Sequence, residues 1–142
     1  MQTKLYIAGE WRDGSNGAVK AVTNPSTGEH ITDVAAASTD DATAACQAAH
    51  EAQLGWAGVA PREKAEILRR CWERMMEHKD ELAELIVAEH GKPIGDARGE
   101  VAYAAEFFRW NSEVATRILG SLRTAPSGAI RIIVHRPPVG VV

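Results

Sequence analysis

The sequence predicts an α+β chain that forms part of a larger α/β protein. Three observations support this: strand-forming, turn-rich segments fill the first quarter, an apolar period of helical spacing follows, and β-branched residues dominate the end. The chain has 142 residues, of which 45% are hydrophobic and 25% charged, with a net charge of −3. This balance argues against disorder and provides no basic field that would attract nucleic acid.

The first quarter of the chain is expected to form short antiparallel strands. Leu5–Arg12 has strand character, and Gly9 lets the chain turn or bulge within it. Further extended segments at Ala18–Thr23 and His30–Ala36 flank Asn24–Gly28, a turn in which proline fixes φ and glycine allows a positive φ.

The middle of the chain predicts four helices. Ser38, Thr39 and Asp40 are candidate N-caps for the first helix, and Gly55 and Gly58 end it. Pro61 suits the first turn of the second helix. The third helix follows a break near His78 and ends at Gly91 as its C-terminal cap. The first helix carries one stripe of small residues, which allows another element to approach closely: Ala42, Ala45, Cys46, Ala49 and Ala52.

The fourth helix is predicted to run from an Asp96 cap to Leu119, with Gly120 closing it. It is apolar on two sides. One side has Ala97, Val101, Ala104, Phe108, Ala115 and Leu119; the other has Tyr103, Phe107, Trp110 and Val114. A helix that is apolar nearly all round must be buried on both sides. The three preceding helices can cover one side, so the second side calls for a further partner.

The C-terminal residues predict two strands. Ile130–His135 is a β-branched strand candidate, and Val139–Val142 begins a second apolar strand. A run of valines is typical of a strand buried on both faces, as in a parallel sheet. Ending a domain there would leave an unpaired edge, so the chain is expected to be a truncated piece.

No complete active site emerges from the residue pattern. Cys46 lies on the small-residue stripe, where buried packing is favoured over reactivity, and Cys71 lies beside Arg70 but is better interpreted as an inert thiol. The five histidines fall on five separate elements: His30, His50, His78, His90 and His135. Gly91–Gly95 is no phosphate loop, because Pro93 follows the lysine and a helix comes before.

Targeting signals are also absent from the pattern. No apolar run approaches the roughly 18 residues that a membrane span needs. The N-terminus is too short and too polar for a secretory signal, and there are two cysteines. We therefore expect a cytoplasmic protein without disulfides, with neither a membrane nor a nucleic-acid partner.

Seven short motifs occur in order: Tyr6–Trp11, Asn24–Glu29, Trp56, Arg62–Leu68, Glu89–Pro93, Gly99–Val101 and Arg136–Val141. Together they resemble the N-terminal segment of the aldehyde dehydrogenase superfamily. The stretch Gly99–Gly120 is most similar to the succinate-semialdehyde dehydrogenases. The resemblance implies an enzyme that uses NAD or NADP to oxidise an aldehyde, with succinate semialdehyde as a candidate, and that forms a homo-oligomer, a dimer or a tetramer.

The same resemblance implies that the catalytic residues lie elsewhere. The nucleophilic cysteine, the general-base glutamate, the oxyanion-hole asparagine and the cofactor-binding lysine of the family all come after the motif at Arg136–Val141. This chain is therefore expected to hold no catalytic and no cofactor-binding residue, and to be inactive alone.

Supporting roles are implied at two places. Tyr103, Phe107 and Trp110 are candidates for the wall of the substrate tunnel; plain packing against a missing domain is the alternative. Glu89, with the backbone of Val22 and Thr23, matches a monovalent-cation site. A buried capping carboxylate is the alternative role of Glu89.

The expected organisation has four segments. They are strands and turns at 1–37, a helical segment at 38–120 that packs on a Rossmann-type domain, a strand arm at 121–137 for oligomerisation, and the start of the NAD(P)-binding domain at 138–142. A non-enzymatic α+β module for binding or oligomerisation is the alternative hypothesis.

Overall fold

The computed structural model describes residues 1–142 and contains three two-stranded antiparallel sheets and four α-helices. The strands are β1 (Leu5–Ile7), β2 (Glu10–Arg12), β3 (Val19–Thr23), β4 (His30–Ala35), β5 (Ser121–Thr124) and β6 (Arg131–Val134). The helices are α1 (Thr39–Gly58), α2 (Pro61–Glu77), α3 (Lys79–His90) and α4 (Ile94–Val114), and a 3₁₀ turn at Ala115–Arg117 follows α4. Each sheet is a pair of strands adjacent in the chain, so the predicted α+β arrangement is confirmed.

The N-terminal strands form two hairpins. β1 and β2 turn at Ala8 and Gly9, whose φ angles of 55° and 88° match the positive φ of the tight turns that suit hairpins. The segment Leu5–Arg12 is thus two strands joined by a turn rather than one bulged strand. β3 and β4 pair from Val19 opposite Ala35, so both predicted strands are confirmed to within a residue.

The first turn of α1 is held by a capping box. The backbone N–H of Asp41 donates to Ser38 Oγ at 3.1 Å, and the backbone N–H of Ser38 donates to Asp41 Oδ2 at 3.0 Å. These bonds satisfy two donors that a helix start would otherwise leave free. Of the three candidate caps, the structure uses Ser38. Asp41 is the single charged residue among the nine that are buried.

α4 packs chiefly against α2 and α3, whereas α1 lies against β1. The core between α3 and α4 is made of Ala83, Ala97 and Val101, with Leu82 and Ile86 packed around it. Alanines at the contact allow the two helix axes to come close. The expectation that three helices cover α4 is wrong, because the connection at 59–60 leads α1 away to the N-terminal hairpin.

The ends of α4 also differ from prediction. The helix begins at Ile94 with Pro93 as its cap rather than Asp96, because the Pro93 carbonyl already accepts from the Ala97 N–H at 3.1 Å. It ends at Val114 instead of Leu119, where the chain tightens into the 3₁₀ turn. Gly120 does not close the helix: a Cβ built there would lie 2.2 Å from the Val134 carbonyl oxygen, so glycine is needed for the approach of β6.

The small-residue stripe of α1 is largely uncovered. Ala42, Cys46, Ala49 and Ala52 are exposed. The predicted burial of Cys46 is therefore wrong, because α1 meets only the narrow edge of β1. Cys71 is half-buried in α2, as expected of an inert thiol.

The C-terminal part is a hairpin followed by irregular backbone. Ser121 lies opposite Val134 in the β5–β6 pair, and Ala125 N–H donates to the Ile130 carbonyl at 2.8 Å near the turn. The strand expected at Val139–Val142 is not formed: a strand requires a paired neighbour, and none of the six strands pairs with these residues.

Little of the chain is buried against itself. Nine of 142 residues are buried, and the accessible surface is 10414 Å². A compact monomer of 15.3 kDa would expose about 7,100 Å², so roughly 3,300 Å² is in excess. None of the helices combines the length and the apolar character needed to cross a bilayer.

Candidate functional site

A cleft of about 280 Å³ opens on the outer face of α4. It is lined by Tyr103, Glu106, Phe107 and Trp110. The three aromatic residues are exposed to 69%, 53% and 63%, respectively. Large apolar side chains with this much exposure mark a surface that meets a ligand or another polypeptide.

Helical geometry explains why these four residues share a face. Their spacing of three, four and seven residues places them within one stripe of the helix. The rings of Tyr103 and Phe107 meet edge to face at 5.0 Å between centroids, an arrangement that aromatic pairs prefer. The opposite stripe of α4 holds the buried Ala97, Val101 and Ala105, so the aromatic stripe points away from α3.

Charged residues border the cleft on one side. Arg109 lies next along the helix, with Nη1 3.8 Å from Glu106 Oε2 and Nε 3.5 Å from Glu113 Oε1. Its guanidinium also sits over the ring of Trp72, 5.4 Å from the centroid. Arg109 is thereby held beside the cleft without lining it.

The residues of the predicted cation site come from neighbouring segments. Ser26 Oγ donates to the Gly91 carbonyl at 3.1 Å, which brings the turn after Thr23 against the end of α3. Glu89 is exposed, as is Thr23, whereas Val22 is half-buried. The alternative role of Glu89 as a buried capping carboxylate is not supported, because Gly91 in the left-handed conformation ends the helix.

Catalytic groupings do not form among the cysteines and histidines. His30 Nε2 lies 2.9 Å from Asp33 and His78 Nδ1 lies 3.0 Å from Glu81, both as exposed local pairs. No cluster of three or more metal-binding side chains is present.

The loop after α3 does not fit a dinucleotide phosphate. A Cβ on Gly91 would lie 2.2 Å from Ser26 Oγ and 3.1 Å from Pro25 Cγ, so the turn after β3 covers this glycine. Lys92 forms an ion pair with Glu100, which lowers the pKa of that carboxyl through the hydrogen bond and the lysine charge. Ser26 and Pro25 cover Gly91, and Glu100 occupies the charge of Lys92, so the loop leaves no open space for a phosphate.

Glu106 was not predicted as a site residue from the sequence. The three aromatic residues stood out by size, whereas a glutamate on a helix is ordinarily a solvated surface residue. Its position three residues after Tyr103 and four before Trp110 was the available signal, because that spacing puts it on the aromatic stripe.

Known proteins similar to this chain share one family. The model of the aldehyde dehydrogenase family matches residues 11–142. A glutarate-semialdehyde dehydrogenase of Pseudomonas putida is 43% identical over 97% of the chain, and the NADP-dependent succinate-semialdehyde dehydrogenase of Escherichia coli is 41% identical over the same share. In both cases the chain spans 29% of the relative's length.

Solved structures agree with the sequence relatives. An NADP-dependent enzyme of E. coli superposes with a TM-score of 0.87 at 39% identity, over 93% of this chain and 27% of that one. The succinate-semialdehyde dehydrogenase of Burkholderia pseudomallei gives a TM-score of 0.85 at 35% identity, over 92% and 27%. Since the family model covers nearly all of its residues, the chain belongs to the aldehyde dehydrogenase family.

Proposed function

We propose that this chain is a segment of a longer aldehyde dehydrogenase that oxidises an aldehyde to a carboxylic acid with NAD or NADP. In the balanced reaction, aldehyde, water and the oxidised dinucleotide give acid, the reduced dinucleotide and a proton. The dinucleotide supplies the acceptor for the hydride. The observation that carries the proposal is the family match over residues 11–142, and an NADP-dependent relative supports the choice of cofactor.

The residues of this chain support a role in positioning other parts of the enzyme rather than in the chemical steps of the reaction. The glycine loop at 91–95 is covered by the turn after β3, so it does not fit a phosphate group. Both cysteines are free thiols, and His30 and His78 are paired locally with Asp33 and Glu81. We therefore assign the thiol chemistry and the dinucleotide site to polypeptide outside these residues.

The uncovered surface supports docking of that further polypeptide. The excess of roughly 3,300 Å² on this chain is larger than the roughly 1,000–2,500 Å² that one partner buries in a large permanent interface, so there is ample surface for such docking. A second, mostly apolar cleft of about 580 Å³ lies between the end of α1 and the C-terminal residues, lined in part by Trp56 and Val141. We propose that residues after 138 continue into the NAD(P)-binding domain, which packs on this surface.

The aromatic cleft supports a place for the substrate. We propose that Tyr103, Phe107 and Trp110 form part of the wall along which the aldehyde reaches the reacting centre. Rings on one rigid helix provide apolar contact without losing side-chain freedom. Succinate semialdehyde is the first candidate, since relatives named for succinate and glutarate semialdehyde are 41% and 43% identical to the chain.

The exposed hairpin supports an oligomer. Leu122 and Ile133 in β5 and β6 are exposed to 63% and 77%, more than a free hairpin tolerates in water. We propose that this hairpin is the arm that joins subunits of a dimer or tetramer. We also propose a reducing, cytoplasmic setting, which the exposed free thiol of Cys46 supports.

A single assay tests the main proposal. The intact enzyme is purified and offered NAD or NADP with a panel of aldehydes, and reduced dinucleotide is followed by its absorbance. We expect turnover with at least one aldehyde and none with the isolated 142-residue chain. Absence of turnover with every aldehyde and both dinucleotides would refute the proposed dehydrogenase activity. Turnover by the isolated chain would refute the proposal that the catalytic residues lie outside these 142 residues.

A further inference from the structure

The cleft on α4 combines three aromatic rings with one carboxylate. Glu106 is the single charged residue of its lining, and its side chain is 56% exposed. The rings of Tyr103, Phe107 and Trp110 present π faces and edges around it. Rings and a carboxylate together form the setting that attracts cations and repels anions.

The charge of Glu106 is only partly balanced. Its partner Arg109 stands off at 3.8 Å, a distance longer than a hydrogen bond, and is shared with Glu113 at 3.5 Å and with the ring of Trp72. Two carboxylates therefore compete for one guanidinium. A negative field remains on the side of the cleft that Glu106 lines.

We propose that Glu106 is a specificity-determining residue that disfavours aldehydes with a carboxylate at the far end of the molecule and favours uncharged or cationic ones. This inference rests on the proposed role of the aromatic cleft as part of the substrate wall. An enzyme that accepts succinate semialdehyde then binds it against the repulsion of Glu106. The preference among aldehydes that differ in the charge at their far end is set in part by α4.

Three aldehydes with the same four-carbon chain differ in the charge at the end opposite the aldehyde. Butanal is uncharged, succinate semialdehyde carries a carboxylate, and 4-trimethylammoniobutanal carries a fixed cation. The quantity measured in the intact enzyme is the ratio of kcat/KM between two aldehydes. A ratio within one enzyme cancels differences in folded fraction, so a merely structural role of Glu106 leaves it unchanged.

In Glu106→Gln we expect the ratio of succinate semialdehyde to butanal to rise on the order of threefold to tenfold, the effect of removing one charge from a partly solvated cleft. The ratio of the cationic aldehyde to butanal should fall by a similar factor. Higher salt should shrink the discrimination in the unmodified enzyme and leave it unchanged in the variant.

Glu113→Gln is the matched control. It removes a carboxylate from the same helix that does not line the cleft, and it leaves Arg109 to Glu106 alone. Both ratios should therefore shift in the same direction as in Glu106→Gln but by less than about twofold. Arg109→Gln is the second variant. It removes the positive charge beside Glu106, so the ratio of kcat/KM for succinate semialdehyde to that for butanal should fall.

Two results would overturn the inference. One is an unchanged ratio in Glu106→Gln with activity retained; the other is an equal change in Glu106→Gln and Glu113→Gln. If Glu106→Gln does not fold, Arg109→Gln provides the test. An unchanged or raised ratio of kcat/KM for succinate semialdehyde to that for butanal in Arg109→Gln would also overturn the inference. A lack of turnover with all three aldehydes in the unmodified enzyme would instead count against the proposed function.

Discussion

Ser15 and Asp41 are joined twice: the backbone N–H and the hydroxyl of Ser15 donate to Asp41 Oδ2 at 3.0 and 3.1 Å. The same oxygen accepts from the backbone N–H and the hydroxyl of Ser38 at 3.0 and 2.9 Å, and Arg12 lies 3.4 Å from Oδ1. Asp41 is 2% exposed. One carboxylate thus fastens the segment after β2 to the start of α1.

Removal of the cap should loosen α1 locally. Ser38→Ala deletes one acceptor and one donor of the capping box, a loss of about 1 kcal/mol, or roughly fivefold faster hydrogen exchange of the first α1 amides. Asp41→Asn should cost more, because it weakens bonds to both Ser15 and Ser38. Asp40→Asn is the control, since Asp40 is exposed in the same turn. Equal exchange in Asp41→Asn and Asp40→Asn would contradict this.

The network also predicts acid sensitivity. Backbone hydrogen bonds from Ser38 and then Ser15 lower the pKa of Asp41 from 3.8 to about 2. A carboxyl whose pKa is lower in the folded state contributes stability that is present above the unfolded pKa and is lost as the pH falls through the folded pKa.

The difference in thermal midpoint between the unmodified protein and Asp41→Asn should therefore be constant above about pH 5 and shrink between about pH 4 and pH 2. Thermal unfolding followed by circular dichroism across this range measures it. The difference for Asp40→Asn serves as the baseline. An Asp41→Asn difference that persists undiminished at pH 2 would argue against the lowered pKa.

Two glycines near the start of α4 should respond oppositely to alanine. Gly91 has a φ of 67° and meets Ser26 Oγ, so Gly91→Ala should destabilise by about 1–2 kcal/mol. Gly99 lies inside α4 with open space around it, so Gly99→Ala should stabilise by up to about 1 kcal/mol. Denaturant unfolding of the intact protein compares them. A Gly91→Ala variant as stable as the unmodified protein would show that neither the backbone angle nor the turn after β3 constrains Gly91, and a destabilised Gly99→Ala would contradict the open space at Gly99.

The aromatic wall predicts a loss of aldehyde turnover. If Trp110 belongs to the proposed substrate wall, Trp110→Ala should lower kcat/KM for the preferred aldehyde by at least about tenfold, because the wall would lose a large apolar contact. Tyr6→Ala is the control, an aromatic residue exposed to 60% on β1. The measurement is initial-rate kinetics in the intact enzyme. If Trp110→Ala keeps its kcat/KM, the alternative of plain packing at this position is favoured.

Local rules explain what the sequence could predict. Ser38 and Gly91 bound their helices as expected because caps depend on neighbours within a few residues. Cys46 and Val139–Val142 were misplaced because their surroundings depend on elements distant in the chain. The helical period of α1 states which residues share a face, but it does not state whether anything in these 142 residues covers that face.

The ends of α4 illustrate the same limit. Asp96 is a good cap by residue type, yet Pro93 already supplies the first carbonyl of the helix, and both positions satisfy local preferences. At the cleft, the aromatic residues were predicted from their size, whereas Glu106 acquires meaning only when the lining is seen as a unit.

The predicted cation site can be tested without any assay of turnover. If Glu89 and the backbone of Val22 and Thr23 bind a monovalent cation, a saturating sodium or potassium salt should raise the thermal midpoint of the intact protein by about 2–4 °C over tetramethylammonium chloride at equal ionic strength. Glu89→Gln should abolish the difference. Glu84→Gln, an exposed glutamate on the same helix, should keep it. Tetramethylammonium screens charge as well as sodium or potassium does, but it is too large to enter a small oxygen-lined site. An unfolding midpoint that is the same in all three salts would therefore show that Glu89 is a surface residue that binds no monovalent cation.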